Sequence, residues 1–387
     1  MSRSGASFAL SGATRGMGAR YVALGDSITI AGDTVSGSTL ATLDSFALYF
    51  TLLSQGKVHF VRNAGHGGNT AADMLARFDT DVTPYAPAIV SLQAGTNDFI
   101  FGVTDATYRT NIKTLVAKIR GIGATPILLT MPPVNGGSAG QKQQIMRNNM
   151  WLSYYTASQG IPLVDMWGIV ADPLTGNYLA AMDNGDGIHP SVAGRFAIGQ
   201  AMINAIGPLL VTVPLVTRNA VDPLNIIPNG LMTGSPVSGI APNWAITGSP
   251  PSGYSTSVVT DTLVPGNMQR ISLSASTGSA TVRTAPAVGS GFNVGDVLRF
   301  SAVVTNNQVR TQIAIQNFGG SAQLNYAQFD KALTRGTLVL PDFTVPVGTT
   351  NILCDLSAKD AGFATTGNAD FGQVTIYNLT TGVLTTL

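Results

Sequence analysis

Short apolar runs alternate with amphipathic stretches through the first half of the chain. Tyr21 to Leu24, Val58 to Val61, Ala88 to Leu92, Pro126 to Thr130 and Pro162 to Val164 have the length and character of buried strands. Between about Thr107 and Arg120, Tyr108, Ile112, Leu115, Val116 and Ile119 fall on one face at helical spacing. Ser191 offers an N-cap for a further helix from Val192 to Ile206, just after Pro190. Strands alternating with helices predict an α/β domain, with a parallel sheet covered on both faces.

The pattern changes near Pro208. Prolines interrupt an apolar stretch as far as Asn229, which fits a docked linker better than a helix. Leu209 to Val216 is too short and too proline-broken to span a bilayer. Beyond it, helix-period patterns are missing. Val258 to Val264, Gln269 to Ala275, Ala280 to Thr284, Val297 to Thr305, Thr311 to Gln316, Gly336 to Leu340, Asn351 to Leu356 and Gln373 to Asn378 read as strands between Gly, Pro, Asn and Ser turns. That text predicts an all-β antiparallel sandwich. The chain of 387 residues thus divides into an N-terminal extension (1–19), an α/β domain (20–207), a linker (208–224) and a β-sandwich (225–387).

Composition narrows the partners. Charged residues make up 11% of the chain and the net charge is +1, so no basic patch is available to neutralise phosphates and nucleic-acid binding is disfavoured. The surface must be built from Ser, Thr, Asn, Gln and Gly, a neutral polar face suited to sugar hydroxyls. Such faces fit an extracellular or virion-associated protein, although no signal-peptide stretch is visible between Met1 and Gly18. Cys354, alone and among apolar neighbours, reads as a small buried hydrophobe. No metal-ligand spacing and no phosphate-cradling loop occurs, so no cofactor is implied.

Four short blocks carry the chemistry. Gly25-Asp26-Ser27 breaks a predicted strand sharply and leaves Ser27 at its C-terminal edge, where ligands bind in open α/β sheets. A serine hydroxyl needs a base. Of the three histidines, His59 lies in a strand-like run and His66 in a glycine block, where it could touch substrate, which leaves His189 as the base. Asp186, three residues earlier, can hold the imidazole tautomer. Gly68, with no side chain in the way, and the neutral amide of Asn97 are candidate oxyanion donors beside the Ser27 backbone amide.

These residues resemble the SGNH or GDSL hydrolase family over about residues 20–210. Ser27 matches the nucleophile of the first block, Gly68 the glycine of the second, Asn97 the asparagine of the third, and Asp186 with His189 the acid and base of the last. Ile28 stands where the family name implies leucine. The resemblance implies a three-layer flavodoxin-like sheet, ester hydrolysis by a Ser-His-Asp triad, and a structural role for Asp98 in its loop. The opening Asn225 to Gly230 and closing Phe371 to Ile376 of the second half are loosely similar to jelly-roll carbohydrate-binding modules, with Trp244, Tyr254 and Tyr326 available for stacking on sugar rings. The expected function is removal of acyl groups, acetyl above all, from a polysaccharide or a small ester. A lipase or thioesterase for longer acyl chains is one alternative. A phage or cell-surface glycan-binding appendage with little turnover is the other. Loops Ile30 to Thr39 and Pro132 to Gly140 are expected to border the cleft and set specificity.

Overall fold

The structure, a computed structural model, describes residues 18–36, 39–211, 222, 224–320, 323–360 and 366–381. The expected N-terminal extension and the central part of the expected linker lie outside the described residues. The chain forms two compact units, Met1–Ala31 with Lys57–Val213 and Gly32–Gly56 with Pro214–Leu387.

The first unit holds a five-stranded sheet in the order Val58–Gly65, Ala19–Gly25, Ile89–Gln93, Thr125–Leu129, Leu163–Val164. Every pairing in it is parallel. The chain therefore begins in the middle of the sheet, steps to one side, and returns to build the other, the flavodoxin-like order. The direction of winding reverses at Ala19–Gly25, and a crevice opens beyond its carboxyl end. Val58–Gly65 is longer than its apolar core because Asn63, Ala64 and Gly65 stay in register with Ala23, Leu24 and Gly25.

Helices supply the outer layers. Asp105–Gly121 buries Tyr108, Ile112, Leu115, Val116 and Ile119, the face its periodicity predicts, and Thr104 caps it by accepting from the Thr107 amide. Ala71–Asp81 carries a capping box between Thr70 and Asp73. Val192–Ile206 begins at Ser191, whose side chain accepts from the Gly194 amide. These helices enclose a core that includes Val22, Leu24, Phe78, Val90, Leu92, Phe99 and Leu128.

The second unit consists of two sheets. One orders Leu333–Val339, Val297–Asn307, Gly367–Asn378, Asn267–Leu273 and Tyr254–Thr260, with Phe343–Thr344 paired beside it. The other orders Thr34–Ser36, Thr39–Leu43, Gln323–Phe329, Arg310–Phe318, Asn351–Lys359, Ser279–Thr284 and Ala245–Thr247. All pairings are antiparallel except that of Thr39–Leu43 with Gln323–Phe329. Phe300, Ile313, Ile315, Leu356, Val374 and Ile376 are buried in this unit. Cys354 is buried among them, and burial pushes its thiol well above its ordinary range.

One segment is placed differently from the sequence reading. Residues 32–56, taken there as part of a continuous α/β domain and in part as a cleft loop, pack with the sandwich instead. The physical reason lies in Phe46–Leu53, a helix in which every residue from Phe46 to Leu52 is buried. A helix apolar on all sides has to be enclosed. It lies against Leu333–Val339, where a side chain at Gly336 would come within 3.2 Å of Leu52. Asp44, at φ 55°, accepts from the Asp330 amide at 2.8 Å and from the Tyr49 hydroxyl. Asp33 takes the Leu43 amide at 2.6 Å and the Thr42 hydroxyl at 3.0 Å.

The buried Asn325 completes the attachment. Its carbonyl accepts from the Leu40 amide at 3.2 Å and its amide donates to Pro341 O at 2.9 Å. Asn325→Ala strands both groups out of water and is expected to cost about 2 to 4 kcal/mol. A urea midpoint equal to that of the unaltered protein would contradict this assignment of residues 32–56.

Candidate active site

The site grows from one abrupt turn. Ala19–Gly25 ends and Ser27–Ile30 begins a single helical turn with only Asp26 between them. Gly25 is required there: a Cβ would sit 2.0 Å from Thr29 Oγ1 and 2.9 Å from Gln93 O. Gly65 admits the same turn from the neighbouring strand, since its Cβ would lie 2.4 Å from the Ile30 amide. Asp26 caps the turn by accepting from the Ile28 amide at 2.8 Å. Ser27, first in the helix, keeps a backbone N–H with no intrahelical acceptor.

The Ser27 hydroxyl lies 2.8 Å from His189 Nε2. His189 Nδ1 lies 2.7 Å from Asp186 Oδ2. The structure thus brings together the alcohol, imidazole and carboxylate singled out from the sequence. Asp186 Oδ1 also accepts from the amides of Ile188 at 2.9 Å and His189 at 2.8 Å. Partial burial raises the Asp186 carboxyl, but the His189 and Ile188 amides and the His189 ring outweigh it and hold the group below its ordinary range. An ionised carboxylate at this place keeps the ring proton on Nδ1 and leaves a lone pair on Nε2.

The candidate donors approach from two loops. Gly68 lies in an exposed turn at φ 78°, a conformation that glycine adopts without strain, and nothing would obstruct a Cβ there. Its N–H is engaged by no group of the chain among the described residues. Asn97 follows Gly95, whose φ of 119° and tight fit against Met131 and Tyr108 exclude a side chain. The Asn97 amide donates to Asn69 O at 3.1 Å and to Asp26 Oδ2 at 3.4 Å. The second bond is long, so that hydrogen is the one an oxyanion could take.

Three residues behind the site escaped the sequence reading. Asp26 is wholly buried, and its Oδ2 also accepts from the Gln93 amide at 3.3 Å. Arg77 donates to Gly25 O at 2.9 Å, Ala64 O at 2.8 Å and Asn69 Oδ1 at 2.6 Å, tying the strand that precedes Ser27 to the glycine loop. Asn135 contacts the loop that carries Asp186 and His189. The middle position of Gly-Asp-Ser was the one available signal for Asp26; an arginine in a helix gives none. The other named residues are accounted for locally. His59 is buried in its strand, the His66 ring lies 3.3 Å from Asp81, and Asp98 accepts from the Ala71 amide at 3.0 Å at the start of a helix.

The profile of the GDSL-like Lipase/Acylhydrolase family matches residues 23–195. That segment carries the family's pattern. It is a carboxylic ester hydrolase domain. It is similar to the esterase TesA of Pseudomonas aeruginosa, 26% identical over 193 residues that cover 49% of this chain and 91% of the relative. An acetylxylan esterase of Geobacillus stearothermophilus is 28% identical over 211 residues, 50% of this chain and 95% of the relative. Among solved structures, acetylxylan esterase Axe2 of the same organism is 23% identical with a TM-score of 0.43, covering 50% of this chain and 97% of its own. A GDSL-like lipase from Bacteroides thetaiotaomicron is 21% identical with a TM-score of 0.41, covering 49% and 89%. Among the described residues, no helix is long and apolar enough to cross a membrane.

Two carboxyls behind the hydrolase site titrate abnormally. Burial above all raises Asp26 to about 7, against the lowering effects of the Ile28 amide, Gln93 and His189. Burial likewise raises Asp98 to about 6. An acid that holds its proton more tightly folded than unfolded favours the native state at low pH, and that contribution is lost as pH rises through the folded-state value. For Asp26 the loss runs from about pH 4 to about pH 7, at roughly 1 kcal/mol per pH unit. Asp26→Asn is expected to flatten this slope while lowering stability overall through the weakened cap. Urea midpoints at a series of pH values measure it, and an unchanged slope in the variant would refute it.

Proposed function

We infer that Ser27, His189 and Asp186 act as a catalytic triad and that the preferred substrates are acetyl esters of a polysaccharide. The observation that carries the reading is the unbroken pair of short contacts, 2.8 Å from Ser27 Oγ to His189 Nε2 and 2.7 Å from His189 Nδ1 to Asp186 Oδ2.

In this mechanism Ser27 Oγ attacks the acyl carbonyl carbon as its proton passes to His189 Nε2. The carbonyl π electrons move onto oxygen, and the oxyanion is received by the Ser27 and Gly68 amides and the Asn97 side chain. As the tetrahedral intermediate collapses, the alkoxide leaves and takes the proton from His189. A water molecule then repeats the cycle on the acyl-enzyme, releasing the acid and restoring the Ser27 hydroxyl. Asp186 stays ionised throughout and balances the imidazolium.

Two observations support the choice of substrate. The relative named as an acetylxylan esterase aligns along 95% of its own length. The chain's charged fraction of 11% leaves a neutral polar surface that suits uncharged glycans, and with it an extracellular or virion-borne setting. Glycan contact by the second unit would rest on few rings. Trp244 is buried with its indole N–H donated to Asn229 O at 3.2 Å, and the Tyr326 hydroxyl lies 2.9 Å from Gln328 Oε1, which leaves Tyr254 the most open of the expected three.

Release of acetate from acetylated xylan is the direct test. Ser27→Ala is expected to abolish it, by roughly a millionfold in kcat, and to abolish labelling by a fluorophosphonate. Asn97→Ala should lower kcat by about a hundred- to a thousandfold with the fold intact. Equal acetate release by the unaltered protein and Ser27→Ala ends the triad reading. A series of aryl esters with its maximum at long acyl chains ends the acetyl reading and leaves the triad standing.

A further inference from the structure

The acid and base occupy a stretch, residues 183–189, without helix or strand. Asp186 is 46% exposed, so burial does not hold it in place. A displacement of about 1 Å at such a site costs roughly a hundredfold in rate. Something must therefore fix this segment relative to Ser27, which lies on a different part of the sheet edge.

Hydrogen bonds converge on it from Asn135 and Tyr178, both outside it. Asn135, in the loop after Thr125–Leu129, donates its backbone N–H to Gly187 O at 2.9 Å. Its side-chain carbonyl accepts from the Tyr178 amide at 2.8 Å, and its side-chain NH2 donates to Asp183 Oδ2 at 3.2 Å. Asp183 Oδ1 in turn accepts from the amides of Gly185 at 2.9 Å and Gly187 at 3.0 Å, the residues on either side of Asp186. The buried Tyr178 closes the circuit by donating its hydroxyl to Ile188 O at 2.7 Å, next to His189. Gly187, at φ 72°, packs so closely on this residue that a Cβ would lie 2.8 Å from Asn135 Cβ. Every one of these contacts ends on the backbone that carries Asp186 and His189, or on a residue that holds it.

We propose that Asn135 and Asp183 are positioning residues for hydrolysis, a side-chain clamp that sets the distance between His189 and Ser27. The loop that the sequence reading assigned to specificity thereby acts on the base. The clamp has a direction built into it. Asn135 presents an acceptor to Tyr178 and a donor to Asp183, so an amide on one side and a carboxylate on the other are both needed.

This inference rests on the triad reading, and the experiment separates the two. Asn135→Asp sets a carboxylate against Asp183 at hydrogen-bond distance, a like-charge contact that pushes the loop away. It is expected to lower kcat and the rate of fluorophosphonate labelling roughly 10- to 100-fold, with KM changed by less than about twofold. The double variant Asn135→Asp with Asp183→Asn exchanges the two groups and restores every bond of the clamp. It is expected to recover most of both rates. Asn135→Ala, which adds no charge, should show the same split between kcat and KM and gives the reading if Asn135→Asp does not fold. Labelling at the unaltered rate in Asn135→Ala overturns the clamp, as does a folded double variant as slow as Asn135→Asp. Failure of the unaltered protein to label at Ser27 overturns the triad reading, and the clamp with it.

Discussion

A carboxyl group removed entirely from water sets the geometry around Ser27. Asp26 is the single residue between strand and helix, and its two oxygens face in different directions: one accepts from the Ile28 amide, the other from the side-chain amides of Gln93 and Asn97. It therefore links the ends of two adjacent strands and the first turn of two helices through one group. Burying it is unfavourable, which is why its affinity for a proton rises, and it is retained where a less polar cap would leave three donors unmatched. Gly25 and Gly65 matter for the same reason, since any side chain there would push the capped turn off the sheet.

The second unit meets a different requirement with the same few charges. Its sheets carry Arg270 with Asp370, Arg283 with Asp355, Arg299 with Asp342, Arg310 with Asp330 and Arg335 with Asp261 as ion pairs. Arg270 with Asp370 and Arg283 with Asp355 join residues directly opposite each other on paired strands. Planar guanidinium and carboxylate groups fix the separation and orientation of their strands. The parallel pairing of Thr39–Leu43 lets a segment early in the chain extend a sheet whose other strands come much later.

What could be read from the sequence follows from how local each signal is. The five strands of the parallel sheet and the face of Asp105–Gly121 were legible because apolar periodicity reports burial directly, and Ser27, Asp186 and His189 because spacing and scarcity single them out. Gln323–Phe329 was not, since its buried Asn325 breaks the alternation that marks a strand. Residues 32–56 were misplaced for a related reason. Their neighbours lie almost three hundred residues away in the chain, as the bond from Leu40 to Asn325 shows, and no local pattern carries that information. Of the residues behind the site, Arg77 and Asn135 bond to backbone groups, which all sequences possess alike, and to side chains of other loops that only folding brings within reach.

An exposed acid in the hydrolase site looks at first like a weakness. Side-chain exposure is 46% for Asp186 and 30% for His189, where a buried carboxylate would attract the imidazolium more strongly. Exposure has two compensating effects. Solvent and three hydrogen bonds keep the carboxylate ionised, so the ring proton stays on the far nitrogen without help from a low dielectric. Water also has access to the imidazole, and the second half of the proposed mechanism consumes a water molecule. The rigidity that burial would have supplied must then come from hydrogen bonds to the loop itself, and backbone groups held from outside provide it without closing the site to solvent.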